Sequence, residues 1–265
     1  MSVPIALTVA GSDSSAGAGI QADLKTFAAL GVYGASVITA LTAQNTKGVF
    51  ATHDVPADFV AAQMDAVLSD LDVSAVKIGM LANTVAIKAV AAGLDRHRAR
   101  NIVLDPVMVA STGADLLRAD AMGALRKLIG RVGVLTPNLF EAAALLEVTM
   151  ARDEAEMREQ AQKLRALGAQ AVLIKGGHAG GLESIDLLVD ADGSALFTAP
   201  RIATKNTHGT GCTLSAAIAA GLAKGLPLHE AVREAKAYVT ASIAAADRLK
   251  VGSGHGPLHH FHKWW

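Results

Sequence analysis

Residues 205–214 read Lys-Asn-Thr-His-Gly-Thr-Gly-Cys-Thr-Leu. They follow a strand-like run and open a small-residue apolar segment, 215–223, that reads as a helix. Thr207 or Gly209 is placed to cap it. A helix start leaves about four backbone N–H groups unpaired, and the aligned peptide dipoles add roughly half a positive charge there. Gly209 and Gly211 carry no side chain, so an anion can approach the bare amides. The chemistry this implies is an anion hole built from the amides of Gly209, Thr210, Gly211 and Cys212. Cys212 sits in the first turn as a titratable group. A helix N-terminus favours the thiolate, so the thiol is expected at a lowered pKa, as a proton acceptor. The plain alternative is a glycine-rich turn into a buried helix, with Cys212 as a small core residue.

Other residues could join such a site. Asn138-Leu-Phe-Glu141 sets two oxygen ligands three apart at a helix start, which suits Mg²⁺. The same pair is close to a capping box, and both readings can hold at once. Asp105, at a strand end, could orient magnesium waters. Lys175, before Gly-Gly, could reach polyphosphate as a point charge, or simply be solvated. Gln44 lies at a strand end, and a glutamine amide can accept from an exocyclic amine while donating to the adjacent ring nitrogen. Asp13 and Asp23 flank a small-residue loop, where N-capping is the plain reading. His178 and His208 lack zinc spacing.

Gly17-Ala-Gly-Ile-Gln-Ala22 formally matches a dinucleotide fingerprint. Six residues, 11–16, separate it from the expected strand, and no acidic residue falls between Asp23 and Asp54 to hold a ribose. Hydride transfer is therefore disfavoured, and no Gly-Lys-Ser/Thr P-loop exists.

The elements that must position these groups alternate. Strand-like runs at 5–10, 73–78, 102–104, 132–135 and 171–174 are interleaved with helical spacing at 20–30, 57–68, 84–93, 121–129, 139–146 and 154–167. Runs at 37–43 and 49–55 flank a turn, 184–189 and 195–199 read as a hairpin, and 228–247 as a last helix. This predicts an α/β fold, a mostly parallel sheet with helices on both faces. No linker divides residues 1–265, so one domain is expected. Ligands in such sheets bind beyond the carboxyl ends of the strands, where Gly11, Gly79, Asp105, Asn138 and Lys175 fall.

The 265 residues are 51% hydrophobic but only 4% aromatic, so the core must be Ala, Val, Leu and Ile. Twenty-four basic residues balance 24 acidic ones, without the excess of a nucleic-acid binder. No run reaches a membrane span, and the N-terminus does not read as a signal peptide. A single cysteine excludes an internal disulfide and is consistent with a cytoplasmic protein.

Residues 205–212 resemble the anion-hole signature of ribokinase-like small-molecule kinases. More narrowly, the chain resembles the hydroxymethylpyrimidine/phosphomethylpyrimidine kinases of thiamin synthesis. The resemblance includes Ala10-Gly-Ser-Asp13, residues 17–25, Ala43-Gln-Asn45, Lys77-Ile-Gly-Met80, Thr136-Pro-Asn138, Lys175-Gly-Gly-His178 and the tail His259-His-Phe-His262. It implies ATP and Mg²⁺ as cofactors, a pyrimidine as substrate, two successive phosphorylations and a homodimer. It makes residues 37–55 a small β lid. It places Gly11, Asp23 and Gln44 at the pyrimidine, with Asp23 near the hydroxyl and Met80 and Val107 as apolar walls. Lys205, Thr207, Gly209, Gly211 and Lys175 then face the nucleotide, Asn138, Glu141 and Asp105 the metal, and the histidine tail is structural. Many ribokinase-like kinases carry Asp at position 212. The nearest alternative is a pyridoxal or pyridoxine kinase, which takes a similar ring and hydroxymethyl group. A thiol hydrolase acting through Cys212 would need a His base and an orienting partner, and no third residue is evident. A non-catalytic pyrimidine-binding module would release no ADP.

Overall fold

A computed structural model describes residues 3–109, 113–177 and 181–265. Nine strands among the described residues lie in one sheet. They are β1 (Ile5–Asp13), β2 (Tyr33–Asn45), β3 (Gly48–Asp54), β4 (Ala75–Ile78), β5 (Ile102–Leu104), β6 (Val134–Leu135), β7 (Ala171–Lys175), β8 (Glu183–Val189) and β9 (Ser194–Pro200). Their order is β3-β2-β1-β4-β5-β6-β7-β8-β9. The six central strands are parallel, and β3, β8 and β9 join antiparallel at the edges.

Period-two alternation divides each central strand between two cores. Leu7, Val9, Val76, Ile78, Ile102, Leu104, Val172 and Ile174 face one side. There they pack on α2 (Ala57–Leu68), α3 (Thr84–Arg96), α4 (Met122–Ile129), α5 (Leu139–Leu146) and α6 (Glu154–Ala166). Ala6, Ala75, Val103, Ala171 and Leu173 face the other. That side is covered by α1 (Gly19–Ala29), α7 (Thr210–Ala223) and α8 (Leu228–Ala244). Helix α7 is small and apolar because it lies between the sheet and α8. A Cβ at Gly221 would come within 2.8 Å of Ala231 Cβ, so the glycine allows that close approach. No helix among the described residues is long and apolar enough to cross a membrane.

Several element ends differ from expectation, and two of them bear on the site. Strand β1 runs on to Asp13, because Ser12 and Asp13 continue the parallel ladder onto Leu41 and Thr42. The strand expected at 37–43 starts at Tyr33. Its first half belongs to the central sheet and only its second half pairs with β3. His178 lies outside the described residues.

The histidine tail is built into the fold. His259 and His260 are buried. His260 Nε2 lies 3.0 Å from Thr213 Oγ1 on α7, and Tyr238 OH donates to the His260 carbonyl at 2.8 Å. No cluster of three His, Cys, Asp or Glu side chains suited to a metal occurs among the described residues. Burial, with help from the nearby Lys25 and His259 charges, pushes the His260 imidazole down to about 3. The unfolded chain therefore binds a proton near pH 6.5 that the native chain refuses, so stability falls as pH drops below 6.5. Between pH 7 and 5.5, His260→Gln should lose roughly 1 kcal/mol less stability than the wild type. Urea unfolding at both pH values checks this; equal losses would remove His260 as the acid-sensitive group.

Candidate active site

The carboxyl ends of the parallel strands converge on the start of α7. Gly209 is its N-cap in the left-handed region, φ 84°, and donates no side chain. A Cβ there would overlap the carbonyl oxygen of Gly17, so the turn and the loop after β1 meet backbone to backbone. Of the two expected caps, Gly209 serves and Thr207 does not. The Thr207 carbonyl instead accepts from the Thr210 amide at 3.2 Å and the Thr210 hydroxyl at 2.7 Å. The Thr210 amide is thus turned inward and leaves the expected anion hole. The amides of Gly209, Gly211 and Cys212 have no protein acceptor among the described residues. Lys205 and Thr207 are exposed on the approach.

A buried charge cluster flanks this helix start. Lys175 Nζ lies 2.6 Å from Asp105 Oδ1 and 3.7 Å from Glu141 Oε2. A Cβ on Gly211 would stand 3.3 Å from Lys175 Nζ and 3.6 Å from Asp105 Oδ2, so the cluster touches the turn itself. Burial alone would discharge Lys175, but the Asp105 and Glu141 carboxylates outweigh it and hold the ammonium charged. Asn138 and Glu141 form the capping box: the Glu141 amide donates to Asn138 Oδ1 at 2.8 Å, and the Asn138 amide to Glu141 Oε2 at 2.7 Å. Glu141 Oε1 takes part in no protein hydrogen bond among the described residues. Burial, reinforced by Asp105 and opposed by Lys175, raises the Glu141 carboxyl to about 7. A carboxylate with a spare oxygen, held against a second carboxylate, fits a hard dication that keeps part of its water shell.

Cys212 is half-buried, and the expected lowering of its pKa is overturned. Burial pushes the thiol up to about 11; Lys77 opposes this, while Asp23 and Asp105 add to it. The helix N-terminus does not prevail over two carboxylates in a desolvated site.

Lys77 was legible only as part of a motif, and the structure gives it a place. It projects from β4, fully buried, 2.8 Å from Asp23 Oδ2 on α1. Thr8 Oγ1 donates to the same oxygen at 2.6 Å. The Asp23 carboxylate overrides the burial that would discharge Lys77. Asp23, expected beside the substrate hydroxyl, is wholly enclosed beneath the site, because the inner face of α1 turns it onto Lys77.

The other wall lies on β2. Ala40, Thr42 and Gln44 alternate on one face. Ala40, Met80 and Ala82 make a small apolar cluster with Val107 packed against it. A Cβ on Gly11 would meet Met80 Sδ at 2.9 Å, so Gly11, Met80 and Val107 are brought together as expected. The Gln44 amide sits between Thr42 Oγ1, at 3.1 Å, and His208 Nε2, at 3.3 Å. His208 Nε2 also lies 2.8 Å from Asp13 Oδ2. Asp13 accepts in addition from the amides of Ser15, Gly17 and Ala18. Burial would raise its carboxyl, but the bonds from His208, Ser15 and Ala18 bring it down to about 2. Sequence reasoning missed the Asp13–His208 link, which joins residues 195 apart.

Residues 13–259 match the family model described as phosphomethylpyrimidine kinase. The chain belongs to the phosphomethylpyrimidine kinase family. Among other members, it is similar to the hydroxymethylpyrimidine/phosphomethylpyrimidine kinase of Rhizobium meliloti, 62% identical over 98% of each chain. It is 53% identical to part of a thiamine biosynthesis bifunctional protein of Geobacter sulfurreducens, covering 96% of this chain and 51% of that one. Its fold is similar to that of Staphylococcus aureus pyridoxal kinase in complex with ADP, at TM-score 0.91 and 35% identity, covering 100% of this chain and 96% of that one. Of the site's two buried ammonium groups, Lys175 stands against the Gly211 turn, and Lys77 bears on the Cys212 thiol by its charge.

Removing one partner of a buried ion pair strands the other charge, which costs roughly 3–5 kcal/mol. Lys77→Met should lose about that much in denaturant unfolding. Combining it with Asp23→Leu should restore most of the loss. If the double variant is as unstable as the sum of the two single ones, Lys77 and Asp23 do not act as a pair.

Proposed function

We propose that this chain phosphorylates 4-amino-5-hydroxymethyl-2-methylpyrimidine from ATP, and then its monophosphate to the diphosphate, as its relatives' names indicate for thiamin synthesis. The observation that carries this reading is the juxtaposition at α7. Bare amides of Gly211 and Cys212 stand against the Lys175–Asp105–Glu141 cluster at one end of the site, with Gln44 and an apolar wall at the other.

Phosphoryl transfer is mostly positioning and neutralisation of charge. The amides of Gly209, Gly211 and Cys212 hold the transferring group. Lys175 neutralises phosphate oxygens, and Lys205 and Thr207 line the nucleotide side. Glu141, Asn138 and Asp105 would hold Mg²⁺, directly or through its waters, and it would offset the polyphosphate charge. Gln44 reads the aminopyrimidine edge, and Gly11, Met80 and Val107 enclose the ring. Asp23 acts from below by keeping Lys77 charged and in place. The thiolate form of Cys212, a small fraction of the thiol at neutral pH, takes the proton of the primary alcohol in the first transfer and becomes the thiol. The second acceptor is a phosphate monoester, already ionised near pH 7.5, and needs no base.

The chain is one domain with residues 37–55 as a lid. Exposed Leu41 and Phe50 on that hairpin give a second copy an apolar face, which supports a homodimer. A free thiol at the site suits a reducing cytoplasm. Pyridoxal is the weaker substrate on this reading, because it lacks the amine and adjacent ring nitrogen that Gln44 pairs.

The deciding experiment follows phosphate from ATP onto the hydroxymethylpyrimidine, resolving both products over time, with pyridoxal in parallel. Successive monophosphate and diphosphate are expected; ATP turnover with pyridoxal alone would refute the assignment. In the same assay Glu141→Gln should raise the Mg²⁺ needed for half-maximal rate several-fold and recover partly at high Mg²⁺. Lost activity with unchanged Mg²⁺ dependence would leave Glu141 only its capping role.

A further inference from the structure

The Gln44 amide can offer its two ends to a ligand in either order, and its neighbours decide which. The structure sets Oε1 beside Thr42 Oγ1 and Nε2 beside His208 Nε2. Amide oxygen and nitrogen have the same shape, so the partners must assign them. His208 Nε2 lies 2.8 Å from Asp13 Oδ2, an ionised carboxylate that can only accept. That nitrogen therefore carries a proton, directed at Asp13. An NH₂ group facing it at 3.3 Å would set donor against donor. At the other end, Thr42 Oγ1 is 2.9 Å from the Ser12 carbonyl, which also can only accept. The hydroxyl has one proton and gives it to Ser12, so toward Gln44 it can only accept.

Both neighbours demand the reverse order. From this we infer that His208, held by Asp13, and Thr42, held by Ser12, are positioning residues that lock the Gln44 amide with its NH₂ toward Thr42 and its oxygen toward His208. One N–H and one oxygen lone pair remain for a ligand, donor on the Thr42 side and acceptor on the His208 side. The ligand edge this selects has a ring-nitrogen acceptor beside an exocyclic amine donor, with the amine nearer His208. His208 directly precedes Gly209, the cap of α7. A hydroxymethyl group on the carbon next to the amine-bearing one is thereby turned toward the amides of Gly211 and Cys212. The lock thus sets substrate polarity and aims the nucleophile in one arrangement. This inference rests on the proposed contact between Gln44 and the pyrimidine.

The test uses two substrates of opposite polarity: the 4-amino pyrimidine and its 4-oxo counterpart, which presents a ring N–H beside a carbonyl. The measured quantity is the ratio of their kcat/KM values in the full-length enzyme. A mismatched polar pair costs roughly 1–3 kcal/mol, so the wild type should prefer the amine by about 5- to 150-fold. Thr42→Val and His208→Leu each free the amide to turn and should cut that ratio about tenfold. His208→Gln, whose amide nitrogen can stand near the lost Nε2, should restore it. A general loss of loop structure would lower both substrates together and leave the ratio unmoved. Gln44→Leu separates the two levels of the argument. If it abolishes the preference while Thr42→Val and His208→Leu retain it, the lock is wrong and Gln44 still reads the substrate. If Gln44→Leu itself leaves the preference intact, the underlying contact fails and the lock with it.

Discussion

Everything at this site depends on a backbone-to-backbone contact: Gly209 seated on the Gly17 carbonyl. Neither position tolerates a Cβ, since one at Gly17 would overlap the His208 ring. The contact brings the β1–α1 loop against the start of α7. Asp13 ties it from the side by accepting from His208 and from three loop amides. Gln44 on β2 and the charge cluster at α7 are thereby joined through one junction.

Around that junction the charges are arranged against desolvation. Two buried ammonium groups, Lys77 and Lys175, stand with three carboxylates, Asp23, Asp105 and Glu141. Burying charges is expensive unless they are paired, and here each ammonium has a carboxylate within 2.8 Å. The odd carboxylate is Glu141, whose pKa is raised first by burial and then by the nearby Asp105. A dication there would offset that local excess of carboxylate charge. Burial, with Asp23 and Asp105 adding to it, keeps Cys212 a neutral thiol.

Local signals were legible because they act over a few residues. Helices at 57–68 and 139–146 and the strand at 102–104 have the expected bounds. In α5 the Asn138–Glu141 spacing is itself the cap that starts the helix. The parallel sheet with helices on both faces followed from alternation alone. What escaped were facts set by distant pairings. The end of β1 is fixed by its register on β2, the burial of Asp23 by a lysine 54 positions away, and the His208 contact by Asp13. The sign of the Cys212 shift is set first by burial, with Asp23 and Asp105 adding to it, and no local reading shows that burial or places those carboxylates beside the thiol.

The central claim is that α7 holds the transferring group while Cys212, a neutral thiol at rest, takes a proton through its small thiolate fraction and only in the first transfer. With a pKa of about 11, roughly one thiol in 3,000 is ionised at pH 7.5. Single-turnover rates of the two transfers, measured separately from pH 6.5 to 9.5 for wild type and Cys212→Ala, test this directly. The account predicts a first transfer that climbs about tenfold per pH unit in the wild type and loses that slope in the variant, beside a second transfer that stays flat in both. Two transfers with the same pH slope, slowed alike by the substitution, would contradict it and leave Cys212 as part of the anion hole's wall.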